Sequence, residues 1–197
     1  MVEGLLITEL SITSVTTFIS CVFAGDIAKL TNNKKAQTAL IRNKAAQIIS
    51  IKAHQNPVYY EKMKERLDNL IREQKEKRVE DADYFNSYKK ILQELLDEEN
   101  ERKKLGFSNM FEFAIYEELL KILKDSETSK TFTKKISEGI KQETELVGWK
   151  TKTSSEKQIG NVIYDILSEI QHKKLEDNDD KKNELTERFI DLAKRNL

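Results

Sequence analysis

The cationic side chains between residues 27 and 60 are the feature of this sequence whose types and spacing point to chemistry. This run contains lysine and arginine but no aspartate or glutamate. On a helix turning ~100° per residue, four of these cations project within about a quarter of a turn: Lys34, Lys35, Arg42 and Lys52. We call these four residues the basic stripe. Cations at this spacing can follow a phosphate backbone, so the basic stripe predicts non-specific contact with double-stranded DNA through phosphates.

The same charges have a second interpretation that the sequence leaves open. Long helices often carry solvated charged faces whose cations pair with acidic neighbours. Glu61, Glu65 and the acidic C-terminal region could supply those neighbours here. In that case the basic stripe would stabilise the fold and would not contact DNA.

A second basic stretch follows the single tryptophan, at 149–155 (WKTKTSS). Lys150 and Lys152 lie there among hydroxyl side chains, and both groups are common ligands of phosphate oxygens. They are therefore secondary candidates for DNA phosphate contacts, without base-specific recognition. Trp149 itself is expected to anchor the turn by packing.

Side chains that could act as nucleophiles, general acids or bases, or metal ligands do not form a recognisable catalytic or metal-binding motif. His54 and His172 are the only histidines, Cys21 is the only cysteine, and no serine nucleophile motif accompanies them. Neither a catalytic triad nor a zinc site is expected, and Cys21 is interpreted as a small buried hydrophobe. No G-x-x-x-x-G-K-[ST] loop occurs, and the aspartates at 177–180 lack the order of a calcium-binding loop. We therefore predict no catalytic residue, metal or cofactor in this chain.

Composition predicts an all-α fold, an irregular bundle of about six to eight helices. Charged residues make up 35% of the 197 positions, with one proline and six glycines, which favours long surface helices. Basic and acidic residues number 34 each, so no global field attracts nucleic acid. The apolar window Leu5 to Ala24 is interrupted by Glu9 and has no basic region before it, so neither a signal peptide nor a membrane span is predicted. The lone cysteine suits a cytoplasmic location.

Three consecutive amphipathic helices are predicted in the middle of the chain. The first is capped by Asn56, with Pro57 at its first position. The second begins at Glu80 or Asp81 and ends before Gly106, and the third begins near 108 or 109. Their apolar faces recur at helical spacing: Tyr60, Met63, Leu67, Leu70 and Ile71; Tyr84, Phe85, Tyr88, Ile91, Leu92 and Leu95; and Phe111, Phe113, Tyr116, Leu119, Leu120 and Leu123.

Helices are also predicted on either side of this middle region. Leu5 to Phe23 favours a helix over a short strand, ending at Gly25 and Asp26. After a polar break at 124–131, a helix is expected from Thr131 or Thr133 to Gly148, then one over 159–170, and a last one over 184–194 after a polar run at 175–183. Their predicted apolar faces are Phe132, Ile136, Ile140, Leu146 and Val147; Ile159, Val162, Ile163, Ile166, Leu167 and Ile170; and Leu185, Phe189, Ile190 and Leu192.

Four ordered segments resemble a known family. They are NPVYYE at 56–61 with ERL at 65–67, RKKLGFS at 102–108, FAIYE at 113–117, and VGWK at 147–150. In these residues and their order the chain resembles the C-terminal helical domain of the restriction (motor) subunit of type I restriction-modification enzymes. The resemblance spans about 56–170, and none of its segments is a catalytic signature.

The resemblance implies an assembly role without chemistry of its own. In that family the nuclease and the ATP-driven helicase motor, with their ATP and Mg²⁺, lie in earlier domains of an ATP-dependent DNA translocase and endonuclease. The resemblance therefore implies connector helices over 1–55 and an assembly domain over 56–197. Its partners would be the methyltransferase and specificity subunits, close to non-specifically bound double-stranded DNA. Surplus apolar residues over 111–116 or in the last helix are candidates for the docking contacts.

Two other functions remain open from the sequence. One is a purely structural helical spacer that contacts neither DNA nor the methyltransferase. The other is a self-contained, metal-dependent nuclease assembled from scattered carboxylates and lysines. Cleavage of DNA by the purified chain in the presence of a divalent metal would favour the nuclease.

Overall fold

The computed structural model describes residues 33–76, 81–172 and 175–197, with the side chains of residues 81 and 82 excepted. The helix predicted over Leu5 to Phe23, its boundary at Gly25 and Asp26, and Cys21 lie outside the described residues. The described residues form nine α-helices and one 3-10 turn and contain no β-strand, which confirms the all-α prediction. Seven of these helices have 14 to 19 residues, and two are short.

The described helices and the 3-10 turn follow one another in this order along the chain. They are α1 (Lys34–Lys52), α2 (Pro57–Lys75), α3 (Asp81–Leu96), α4 (Glu98–Lys104), α5 (Met110–Leu123), α6 (Ser126–Gly139), α7 (Lys141–Thr144), the 3-10 turn (Trp149–Thr151), α8 (Thr153–Ser168) and α9 (Asp179–Asn196). The chain divides into two compact units. In its described part, the first unit comprises residues 33–47, 67–76 and 81–96, and the second comprises residues 48–66, 97–172 and 175–197. Residues 55 and 56, between which the family resemblance implies a domain boundary, both belong to the second unit.

The first unit is built from parts of α1 and α2 and from all of α3. Asn33 caps α1, since its Oδ1 accepts the N–H of Lys35 at 2.9 Å. Five of the six residues predicted for the face of α3 are buried: Tyr84, Tyr88, Ile91, Leu92 and Leu95. The sixth, Phe85, is half-buried. The single helix predicted to run as far as Gly106 is wrong, because α3 ends at Leu96 and the separate α4 begins at Glu98. Ile41 and Ala45 of α1 are buried as well.

The second unit has the larger core. Helix α5 packs against α6 and α9, and α8 packs against the same two helices. The buried cluster that joins them combines α5 with the later helices: Phe111, Ala114, Ile115, Leu119 and Leu123; Ile136 and Ile140; Trp149; Ile159, Ile163, Leu167 and Ile170; Leu175, Leu185, Phe189, Leu192 and Ala193. Predicted core positions on α5, α8 and α9 are therefore confirmed.

Two predicted caps are confirmed in the second unit. Asn56 Oδ1 accepts the N–H of Tyr59 at 3.2 Å, with Pro57 at the first position of α2. Asn109 caps α5, since its Oδ1 accepts the N–H of Glu112 at 2.9 Å. Gly106 ends α4 with a left-handed φ of 84°, where the N–H of Phe107 bonds the carbonyl of Arg102 at 3.1 Å.

Two predicted helix starts are wrong for the same reason. Helix α6 begins at Ser126, not at Thr131 or Thr133, because Asp125 Oδ1 accepts the N–H of Thr128 at 2.6 Å. Helix α9 begins at Asp179, five residues before the predicted start, because Asn178 Oδ1 accepts the N–H of Lys181 at 3.0 Å. In both cases a polar run that suggested a break contains the cap and first turn of a helix.

The predicted end of the helix before Gly148 is also wrong. Helix α6 stops at Gly139, and the short α7 and a turn fill the interval to the 3-10 turn. Val147 is 92% exposed and Leu146 47% exposed, so neither contributes to a buried helix face. Gly148 takes a left-handed φ of 74° and carries the chain into the 3-10 turn.

Candidate phosphate-binding groove

Three of the four basic-stripe residues line one groove of the first unit. The groove has a volume of about 490 Å³, and its walls are cationic or neutral: Asn33, Lys34, Lys35, Thr38, Ala39, Arg42 and Gln74. We call it the basic groove. Lys34 and Lys35 are exposed and Arg42 is half-buried. None of these lining side chains is a carboxylate.

Helical spacing explains why α1 places these side chains together. Lys34, Thr38 and Arg42 follow one another at intervals of four residues and therefore share a helix face. The Thr38 hydroxyl donates to the carbonyl of Lys34 at 2.8 Å, which leaves its side chain close to the helix backbone.

Gln74, in the last turn of α2, also lines the basic groove and, among the described residues, is the only lining residue there that does not come from α1 or its cap. Its Oε1 accepts a hydrogen bond from the Tyr88 hydroxyl of α3 at 3.0 Å. Tyr88 is fully buried, and burial raises the pKa of its hydroxyl, while the nearby Arg42 lowers it. The hydroxyl therefore remains a neutral donor at neutral pH. Neither residue is marked as a ligand by the sequence, because Gln74 lies in a polar helix end and Tyr88 belongs to a predicted apolar face, and neither pattern is a binding motif.

Lys52 lies in the second unit, bound to a buried carboxylate. Its Nζ is 3.0 Å from Glu98 Oε2, and the same oxygen accepts the Tyr60 hydroxyl at 2.7 Å. Glu98 is 2% exposed. The pKa of the Tyr60 hydroxyl lies far above its ordinary value, because Tyr60 is buried and because the negative charge of Glu98 is close to it. Binding of Lys52 to a phosphate would leave Glu98 short of a countercharge, which is costly in a buried place.

The second predicted pair lies around the 3-10 turn of the second unit. Lys150 and Lys152 are both exposed, and Lys150 Nζ lies 5.8 Å from the centroid of the Trp149 ring. Trp149 is 5% exposed and belongs to the buried cluster, which confirms its predicted packing role. The exposed cations remain sterically open to phosphate.

Two further grooves of the second unit have mixed charge. One, of about 440 Å³, includes Glu117 beside Lys62, and the other, of about 450 Å³, includes Glu118 beside Arg188. Burial raises the pKa of both carboxyls, and the neighbouring cations oppose that rise. Arg188 Nη1 donates to Glu118 Oε2 at 3.3 Å, so this carboxyl already has a cationic partner.

Two searches of the described part of the chain gave negative results. Across 33–76, 81–172 and 175–197, no three or more His, Cys, Asp or Glu side chains are grouped so as to hold a metal ion. In the same ranges, no helix combines the length and apolar content needed to cross a bilayer.

Comparison of the chain with protein-family models, with curated proteins and with solved structures found no match.

Replacing Lys52 by methionine should lower the free energy of unfolding by about 2 kcal/mol, because Glu98 would remain buried without its cation. Urea denaturation followed by circular dichroism measures this change. The matched control is Lys103→Met, whose partner Glu99 is exposed and four residues away, with Nζ and Oε1 2.7 Å apart. That variant should change stability by no more than about 0.5 kcal/mol. Equal effects of the two substitutions would contradict the role given to Lys52.

Proposed function

We propose that this chain is a non-catalytic assembly module of the motor subunit of a type I restriction enzyme. In this proposal the second unit docks to the methyltransferase and specificity subunits, and the first unit contacts double-stranded DNA through phosphates. The parent subunit would be an ATP-dependent translocase and endonuclease whose chemistry lies in other domains. The chain itself would hold the motor close to the DNA that it moves.

The observation that carries this proposal is the placement of the four resembling segments. Apart from Leu67, all their residues belong to the second unit. Tyr59 of the first segment lies against Phe113 of the third, with ring centroids 5.6 Å apart. The ring centroid of Phe107, in the second segment, lies 6.4 Å from that of Phe113 and 5.0 Å from that of Tyr116. Trp149 of the fourth shares the buried cluster with Ala114 and Ile115 of the third segment. The segments thus support one another as a single packed body.

Burial restricts which side chains can dock a partner. The sequence suggested that apolar residues over 111–116 or in the last helix could dock a partner. The aromatic side chains there are at most 5% exposed: Phe111, Phe113, Tyr116 and Phe189. They are therefore assigned to the core. By contrast, Leu146 and Val147 project from the turn that carries the fourth segment. Exposed apolar side chains beside a rigid anchor such as Trp149 are suited to a partner's pocket, so we assign the docking contact to this turn.

The basic groove supports the DNA half of the proposal. It brings Lys34, Lys35 and Arg42 to one surface without a lining carboxylate. The chain as a whole carries no net charge, so attraction to DNA must be local. Phosphate contacts of this kind position a protein on duplex DNA without selecting a sequence.

Sedimentation velocity of the labelled chain mixed with the methyltransferase and specificity subunits tests docking. The chain should co-sediment with them, and the intact motor subunit should displace it. Changing Leu146 and Val147 together to serine should weaken binding by about tenfold or more, because two apolar anchors are lost. The matched control changes Leu40 and Ile51, which are exposed to 41% and 44%, to serine and should bind normally. A wild-type chain that sediments alone would overturn the docking role in favour of a spacer.

Titration of two unrelated duplexes at several salt concentrations tests the DNA contact. Both should bind with similar affinity, and binding should weaken steeply with salt because counterions are released. Changing Lys34, Lys35 and Arg42 to glutamine should weaken binding and reduce the salt slope by up to about three. The control changes Lys75, Lys89 and Lys90, three exposed lysines of the same unit, to glutamine and should keep the slope. An identical loss in both variants would remove the basic groove from the DNA interface.

A further inference from the structure

Gln74 lines the basic groove, and its amide oxygen is held by a hydrogen bond. Tyr88 is 0% exposed, and its hydroxyl donates to Gln74 Oε1 at 3.0 Å. A primary amide has one acceptor oxygen and one nitrogen with two donor hydrogens. Because the oxygen is turned to the buried hydroxyl, the Nε2 donors are the part of the amide left for the groove.

We infer that Gln74 is a neutral phosphate ligand through Nε2, and that Tyr88 is the positioning residue that orients it. This role presupposes the DNA contact proposed above and adds a ligand that the sequence did not suggest. The ligand chemistry is a phosphate oxygen, which accepts hydrogen bonds and is attracted by the cations of α1 that line the same groove. A phosphodiester of duplex DNA is the source we assign to it.

The contributions of the cations and of the amide differ in kind. Lysine and arginine attract phosphate through charge, and salt screens that attraction. An amide held by a buried hydroxyl contributes a directional hydrogen bond with little ordering cost on binding. Loss of the amide should therefore weaken binding equally at every salt concentration, whereas loss of a cation should change the salt slope.

A double-mutant cycle on the full chain tests this inference by titration of one duplex at several salt concentrations. Gln74→Met and Tyr88→Phe should each weaken binding by about fivefold, since each removes or disorients one hydrogen-bond donor. The two changes together should weaken binding no more than Gln74→Met alone, because Tyr88 acts through Gln74. The salt slope should stay at the wild-type value in all three variants, whereas Lys34→Gln should lower it by about one.

Matched controls separate positioning from simple loss of stability. Tyr84 is a buried tyrosine of the same helix whose hydroxyl has no hydrogen-bond partner among the described residues, so Tyr84→Phe should bind normally. Gln93 is an exposed glutamine of α3, and Gln93→Met should also bind normally. Urea denaturation of each variant checks that it is folded under the binding conditions. If Tyr84→Phe weakens binding as much as Tyr88→Phe does, the positioning role is wrong.

The outcomes distinguish this inference from the proposed function. A wild-type chain that fails to bind duplex DNA would overturn the DNA contact, and the inference with it. Binding that depends on Lys34 but is unchanged in Gln74→Met would overturn only the inference. Inorganic phosphate, added at constant ionic strength, should compete no better than chloride. Specific displacement of the duplex by inorganic phosphate would overturn the assignment to a nucleic-acid backbone.

Discussion

The buried carboxylate of Glu98 is the constraint on which the second unit depends. A carboxylate removed from water without partners costs several kcal/mol, so the chain must bring partners to it. Lys52 comes from the end of α1, Tyr60 from the first turn of α2, and Glu98 itself begins α4. These three helix ends therefore have to meet at one oxygen.

The end of the last helix, α9, is hydrogen-bonded to the turn that connects α1 and α2. Arg195 Nη1 donates to the carbonyl of His54 at 3.2 Å, and Asn196 Nδ2 donates to the carbonyl of Gln55 at 3.0 Å. These carbonyls follow the end of α1, where a cation also interacts favourably with the helix dipole. The C-terminal residues thus link α9 to the loop that precedes Asn56. In the second unit Lys52, Glu98 and Arg195 thus hold elements of the fold together. In the first unit Lys34, Lys35 and Arg42 line the basic groove.

Local sequence patterns were enough to predict much of the fold, because helix faces and helix caps are encoded within a few residues. The apolar face of α3 from Tyr84 to Leu95 and the helix caps at Asn56 and Asn109 are such cases. The starts of α6 and α9 were misplaced because Asp125 and Asn178 lie in polar runs that are equally typical of loops. The exposure of Val147 was missed because apolar character alone does not tell a core position from a turn.

The candidate site was predictable only in part. Helical spacing placed Lys34 and Arg42 together, but it also grouped Lys52 with them. Glu98, the partner of Lys52, is 46 residues away in sequence, and local sequence patterns do not predict such a long-range pair. A binding role of Gln74 could not be predicted for the same reason, since its amide is hydrogen-bonded to the Tyr88 hydroxyl, 14 residues away. Long-range hydrogen bonds, which only the fold reveals, decide which polar side chains are free to bind a ligand.

Hydrogen exchange of the full chain, alone and saturated with the methyltransferase and specificity subunits, tests the assembly role most directly. Docking through the second unit predicts slower exchange in peptides that cover residues 140–152, with no change over 33–47. Unchanged exchange throughout the second unit in the presence of these subunits would contradict the account.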